Sequence, residues 1–194
     1  MSLAVALIIA FLSLSASAHA ADVEAGRTKS QVCAACHGVD GNATIAGTPS
    51  LAGHPAFYTH WQLVFFQSDN RSDPQMSPLA AKLSSEDMAD LAAYYETQKS
   101  RPREGRPTID GAAREAGERL ANTHHCTQCH GPGLMGQQAV PRLVGQDQQY
   151  LLKRLRGYKA QTTRDLDGQM SSAAQALSNE DIELLAKYIA SLPR

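Results

Sequence analysis

The sequence predicts an all-α protein of two tandem helical domains, and three observations carry that prediction. First, the pentapeptide Cys-x-x-Cys-His occurs twice, as Cys33-Ala34-Ala35-Cys36-His37 and Cys126-Thr127-Gln128-Cys129-His130, and together the copies use all four cysteines of the chain. Second, aligning the pentapeptides aligns the rest of the sequence at offsets of 91 to 94 residues. Third, apolar residues recur with the helical period behind capping signals, and no stretch alternates as a strand does.

Residues 1–20 read as a signal peptide. Leu3 to Leu12 is an unbroken apolar run, and Ala18-His19-Ala20 supplies the small-residue cleavage site, so the mature chain is expected to start at Ala21. The n-region lacks Lys and Arg, and the apolar run is shorter than the ~20 residues a bilayer span needs. An uncleaved anchor is the alternative. The rest divides into an N-terminal domain, residues 21–100, a linker, residues 101–108, and a C-terminal domain, residues 109–194. The linker is marked by Pro102, Gly105, Pro107 and alternating charge. Charge is nearly balanced, 18 basic against 19 acidic residues with no run of either sign, which gives no footprint for nucleic acid or an anionic membrane.

In chain order, short helices over residues 23–32 and 112–124 are expected to lead into the two pentapeptides. The leading segments differ: Gly26 lies seven residues before Cys33, whereas Gly117 lies nine before Cys126. Cys-x-x-Cys-His is the attachment signature of c-type haem. The thiols, one helical turn apart, reach the two porphyrin vinyl groups, and the histidine supplies the proximal iron ligand. Two disulfides or a four-thiolate zinc site are the rival readings. Neither gives a reason for a histidine after each pair, and the pairs are 93 residues apart. Two covalently bound haem c groups are therefore expected, held by Cys33, Cys36, Cys126 and Cys129, with His37 and His130 on the irons. Haem c is attached after export, which agrees with the signal peptide.

Each pentapeptide is followed by a Pro-x-Leu-x-Gly segment, at Pro49 and Pro141. A carbonyl there could accept a hydrogen bond from the proximal histidine's second ring nitrogen, or the proline could simply shape a turn. Middle helices are expected at residues 55–67 and 147–160, with Tyr58 and Tyr150 in their first turns. His54, His60, His124 and His125 have no repeat-equivalent histidine and are expected in loops or on the surface. The lone Trp61 is expected to pack on haem or core.

A histidine-bound iron has one position left, and what fills it separates electron transfer from ligand chemistry. Met76 and Met170 lie 39 and 40 residues after His37 and His130, each after a glutamine in a polar loop. A thioether in such a loop at matched positions points to the sixth ligand, which favours ferrous iron and raises the potential. Met88 falls on an apolar stripe, and Met135 has no counterpart. The last helix of each half opens on Ser84 with Asp87 and on Ser178 with Asp181, a capping box with Asp for Glu. The stripes Met88, Leu91, Ala92, Tyr95 and Ile182, Leu185, Ala186, Ile189 follow.

The run from Cys33 to Asn42, the Pro-x-Leu-x-Gly loops, the Gln-Met-Ser segments and the Leu-Ser-x-Glu-Asp helix starts resemble the cytochrome c4 family over essentially the whole mature chain. That family comprises exported dihaem cytochromes of two class I cytochrome c domains. The resemblance implies pseudo-twofold symmetry with the haems facing across the interface, and the Pro49 and Pro141 carbonyls holding His37 and His130. It also implies a periplasmic electron carrier between a cytochrome bc complex and a terminal oxidase, soluble or peripherally membrane-associated, with no small-molecule substrate and no catalytic residues. The alternatives are a dihaem subunit of a larger dehydrogenase, a dihaem peroxidase or a gas sensor; two methionine ligands argue against the last two. Residues 22–107 carry 8 basic and 10 acidic groups and residues 108–194 carry 10 and 9, so unequal haem potentials are expected.

Overall fold

Asp22 opens the first helix in the computed structural model, which describes residues 20–193. The predicted signal peptide lies, all but Ala20, outside those residues. The Asp22 carboxylate accepts from the amides of Glu24 and Ala25 at 2.8 and 3.1 Å and so caps α1, Val23–Lys29. A 3₁₀ turn at Ser30–Val32 and α2, Ala34–His37, follow. The first half then runs through α3, Ala56–Gln67, α4, Met76–Ala80, and α5, Ser85–Thr97. The second repeats the series: α6, Gly111–Thr123, α7, Cys126–His130, α8, Gln148–Lys159, α9, Gln169–Gln175, and α10, Asn179–Ser191. Among the described residues the only strand-like pairing is an isolated bridge between Gln137 and Val140. The all-helical, two-domain expectation is borne out.

In each half the first and last helices cross, α1 on α5 and α6 on α10. A glycine makes each crossing possible. A Cβ on Gly26 would sit 2.1 Å from the Asp90 carbonyl oxygen, and one on Gly117 would sit 2.5 Å from Tyr188 Cβ. Both capping boxes form, Ser84 with Asp87 and Ser178 with Asp181. The stripes behind them are buried: Met88, Leu91, Ala92 and Tyr95 are at most 2% exposed, and Ile182, Leu185, Ala186 and Ile189 at most 3%. Each half has its own apolar cluster, and the first is small, with Leu91, Tyr94 and Tyr95 at its centre. Domains of this length bury a smaller fraction of their surface than larger ones do, so a covalently held apolar group would add usefully to the core. Cys33 and Cys126 sit at the edges of these two clusters.

The different lengths of the leading segments have a structural cause. The first half ends α1 at Lys29 and reaches Cys33 directly through a 3₁₀ turn, whereas α6 runs on to Thr123 as one continuous helix and needs His124 and His125 to reach Cys126. The chain then turns through His125, which takes the left-handed conformation at φ 56°, and enters α7.

The halves meet along a polar junction. Gln146 closes on the backbone of Ser50, with Ser50 N–H donating to Oε1 and Nε2 donating to Ser50 O, both at 2.9 Å. The Gly47 amide donates to Asp147 Oδ1 at 2.9 Å. From the connecting segment, the Arg103 guanidinium donates to the carbonyls of Ala43, Ile45 and Thr48 and pairs with Asp147 at 3.3 Å. Its side chain is 7% exposed, so this stretch, a solvated linker by composition, contributes a buried cation to the junction. Lys153 reaches Asp73 at 3.0 Å, and Arg71 donates to the Tyr150 hydroxyl at 3.2 Å.

Candidate haem sites

Each pentapeptide forms a single helical turn that ends on a buried histidine. His37 is 6% exposed and His130 5%. The residue after each is a glycine with positive φ, Gly38 at 79° and Gly131 at 75°, where the chain reverses out of the turn. His37 Nδ1 lies 2.9 Å from the Pro49 carbonyl oxygen, and His130 Nδ1 lies 2.8 Å from that of Pro141. A carbonyl oxygen only accepts, so Nδ1 carries the proton in both rings. That tautomer leaves the Nε2 lone pair unprotonated. His130 Nε2 is buried and, among the described residues, has no hydrogen-bond partner. Burial pulls both imidazoles below their usual pKa against the opposing pull of the proline carbonyls, which keeps the rings neutral.

A buried, neutral, singly aimed imidazole nitrogen without a partner fits an iron ligand. The thiols fit as well. Cys33 and Cys126 are half-buried, Cys36 and Cys129 exposed, and the four form no disulfide. Burial pushes the Cys33 and Cys126 thiols up, so these seats suit neutral sulfur, as in a thioether, better than thiolate.

Met76 and Met170 are both half-buried. They do not lie in open loops. Met76 opens α4, and Met170 is the second residue of α9. Aspartates fix their backbones. Asp73 Oδ1 accepts from the amides of Gln75 and Met76 at 3.0 and 3.2 Å. Asp165 accepts from the Met170 amide at 2.7 Å and from the Ser171 hydroxyl at 2.6 Å. Burial opposes the charge on Asp73, but the Lys153 ammonium and these amides outweigh it and hold the carboxyl below its ordinary range. Sequence reasoning missed both aspartates. Asp73-Pro74 just before a helix is an N-cap signature that could have revealed the first. Asp165, five residues before Met170, has no such standard spacing. Met88 is 1% exposed in the core, and Met135 is 48% exposed.

His54 lies in a loop, one of its two expected placements, but it is buried there. It is 6% exposed, with Nε2 3.1 Å from the Ser50 carbonyl oxygen at the junction. His60 and His124 are half-buried and His125 is exposed. Trp61 is half-buried in a row with Phe57 and Phe65, at centroid distances of 6.1 and 6.0 Å. Across the junction Arg71 and Arg154 face the tyrosines. Arg71 lies 5.8 Å over the Tyr150 ring, and Arg154 bonds the Tyr158 hydroxyl at 2.7 Å. Among the described residues neither guanidinium pairs with a carboxylate.

Known proteins match this arrangement. The family model for cytochrome c covers residues 114–193, and that for cytochrome c oxidase, cbb3-type, subunit III covers residues 21–94. Cytochrome c4 of Pseudomonas aeruginosa is 37% identical, the match covering 93% of this chain and 94% of that one. A thiosulfate dehydrogenase electron acceptor of Stutzerimonas stutzeri is also 37% identical, over 95% of this chain and 92% of its own. The crystal structure of reduced recombinant cytochrome c4 from Pseudomonas stutzeri superposes with a TM-score of 0.81 at 34% identity, over 89% of this chain and 100% of that one. With a histidine turn of the same design in both halves, the chain belongs to the cytochrome c4 family: a dihaem electron-transfer cytochrome with two covalently bound haem c groups.

Proposed function

We propose that the protein is a periplasmic electron carrier in which each domain, on either side of the linker at residues 101–108, holds one haem between a histidine and a methionine. Cys33 and Cys36 form the thioethers of haem 1, and Cys126 and Cys129 those of haem 2. His37 and Met76 ligate the first iron, His130 and Met170 the second. When bound, the haem iron supplies a one-electron ferric–ferrous couple. The chain's own contribution is rigidity. The Pro49 and Pro141 carbonyls lock each imidazole in one tautomer and orientation, and Asp73 and Asp165 pin the amides of the two methionines. Ligands held this way move little when the iron changes charge. The observation that carries the reading is the histidine-to-proline bond repeated in both halves, with His130 Nε2 buried and, among the described residues, unpartnered.

The electron donor is a cytochrome bc complex and the acceptor a terminal oxidase, met through weak, brief docking as small redox interfaces usually are. None of the described helices is long and apolar enough to cross a membrane, which fits a soluble or peripherally attached carrier. A second reading has its own support: the relative named thiosulfate dehydrogenase electron acceptor is 37% identical over nearly the full chain. In that case the donor is a thiosulfate-oxidising enzyme. Stopped-flow reduction of the ferric holoprotein by each purified donor decides between them. Fast reduction by the bc complex and none by thiosulfate dehydrogenase supports the first reading, and the reverse overturns it. Spectroelectrochemistry of the same protein tests the ligand assignment, through the haem count and the ferric methionine–iron charge-transfer band.

A further inference from the structure

We propose that Gln146, a residue of the second half, is a positioning residue for the iron ligand of the first, acting on His37 through one peptide unit. The peptide between Pro49 and Ser50 is engaged at both ends. Its carbonyl accepts from His37 Nδ1 at 2.9 Å, and its N–H donates to Gln146 Oε1 at 2.9 Å. The same Oε1 accepts from the Asp147 amide at 2.9 Å, while Nε2 faces the Ser50 carbonyl. Two N–H donors on one side and a carbonyl on the other admit only this orientation of the side-chain amide.

The chain Gln146–Ser50–Pro49–His37 lies away from water, with Gln146 4% and Ser50 2% exposed. In such surroundings hydrogen bonds polarise one another. An acceptor on the amide N–H makes the carbonyl oxygen of the same unit more negative. That oxygen then draws the Nδ1 proton more strongly, which gives the imidazole imidazolate character and makes Nε2 a stronger donor. A stronger donor favours ferric iron, so Gln146 lowers the potential of haem 1.

The brace is one-sided. In the repeat, Gln146 corresponds to His54 and Ser50 to Arg142. His54 turns to Ser50 of its own half, and among the described residues the Arg142 amide meets no side chain of the first half. Docking of the halves therefore reaches one histidine and not the other. This inference rests on His37 being an iron ligand, and the experiment separates the two claims.

The test compares Gln146→Leu and Gln146→Glu holoproteins with the wild type. The readouts are a potentiometric titration and the NMR resonance of each histidine's Nδ1 proton in the reduced, diamagnetic state. Leu removes the acceptor. It should raise the haem 1 potential and move the His37 Nδ1 proton upfield, leaving His130 unchanged. Glu places a charged acceptor at the same point and should move the His37 proton downfield and lower the haem 1 potential. Arg103→Gln loosens the junction without touching the Ser50 amide and should reproduce neither shift. The proposal is overturned if the His37 resonance stays put in both Gln146 variants, if both move it the same way, or if Arg103→Gln moves it equally. If the wild type itself shows no histidine-ligated haem 1, the ligand assignment fails instead.

Discussion

Asp73 holds the backbone amide of Met76, its Oδ1 accepting at 3.2 Å, while its Oδ2 takes Lys153 of the other half at 3.0 Å. Asp165 does the same for Met170, more completely, through the Met170 amide and the amide and hydroxyl of Ser171. Replacing either aspartate by alanine frees the turn that presents the methionine, at a cost of about 0.5–2 kcal/mol, as for a lost helix cap. The ferric methionine–iron band should then fade at a lower temperature than in the wild type. Asp165→Ala should lower that temperature more than Asp73→Ala, because all three bonds of Asp165 go to Met170 and Ser171, whereas Asp73 gives Met76 one and directs the others to Gln75 and Lys153.

Met76→Ala and Met170→Ala should each abolish the charge-transfer band of one haem and lower that haem's potential, leaving the other in place. Thioether ligation favours the ferrous state, so its loss moves the couple downward. Redox titration of each variant, with carbon monoxide binding to the reduced form as the sign of an opened position, is the measurement. A variant with both bands intact would remove that methionine from the assignment.

Gly26→Ala and Gly117→Ala should destabilise their own halves by about 1–3 kcal/mol or more, the range for overpacking. The new methyl at Gly26 meets backbone, the Asp90 carbonyl oxygen at 2.1 Å, which cannot swing aside. At Gly117 it meets Tyr188 Cβ at 2.5 Å. Thermal unfolding followed separately at the two haems should show the early transition on the side carrying the substitution.

The capping boxes set part of the acid limit. Asp87 is held down to about 2, first by the hydrogen bond from Lys29 and then by the Ser84 amide and hydroxyl. The Ser178 amide and hydroxyl lower Asp181 in the same way. A depressed carboxyl stabilises the fold fully above its unfolded pKa of ~4 and loses that contribution as pH falls through the folded value. Ser84→Ala and Ser178→Ala should each cost about 1 kcal/mol at neutral pH. Both should also flatten the decline in stability below about pH 4, as read by denaturant titrations at stepped pH. An unchanged acid limb in both variants would assign the decline to other carboxylates.

Much of the site could be read from the residues because its parts are local or duplicated. Cys33 to His37 is one helical turn, so its chemistry is written in adjacent letters. Duplication pairs Met76 with Met170 and Pro49 with Pro141, and it sets the methionine pair apart from Met88, on an apolar stripe, and Met135, which has no counterpart. The same alignment hid the junction. His54 has Gln146 at its partner position, so the repeat gives it no shared role, yet Gln146 and the Ser50 backbone that His54 also meets build the contact between the halves. An interface between two copies of one module has to differ from the faces the copies share.

By itself the sequence determined the helical class, the two modules, the cofactor and its attachment, because periodicity, capping and a covalent motif act over a few residues. Only the tertiary structure decided that Arg103 is buried in the junction and that Gln146 closes on Ser50, one peptide from the carbonyl that holds His37. Those contacts join positions 96 residues apart in the case of Gln146 and Ser50. Their energies exist only once the chain has brought two separately folded cores together, and no local pattern records that event.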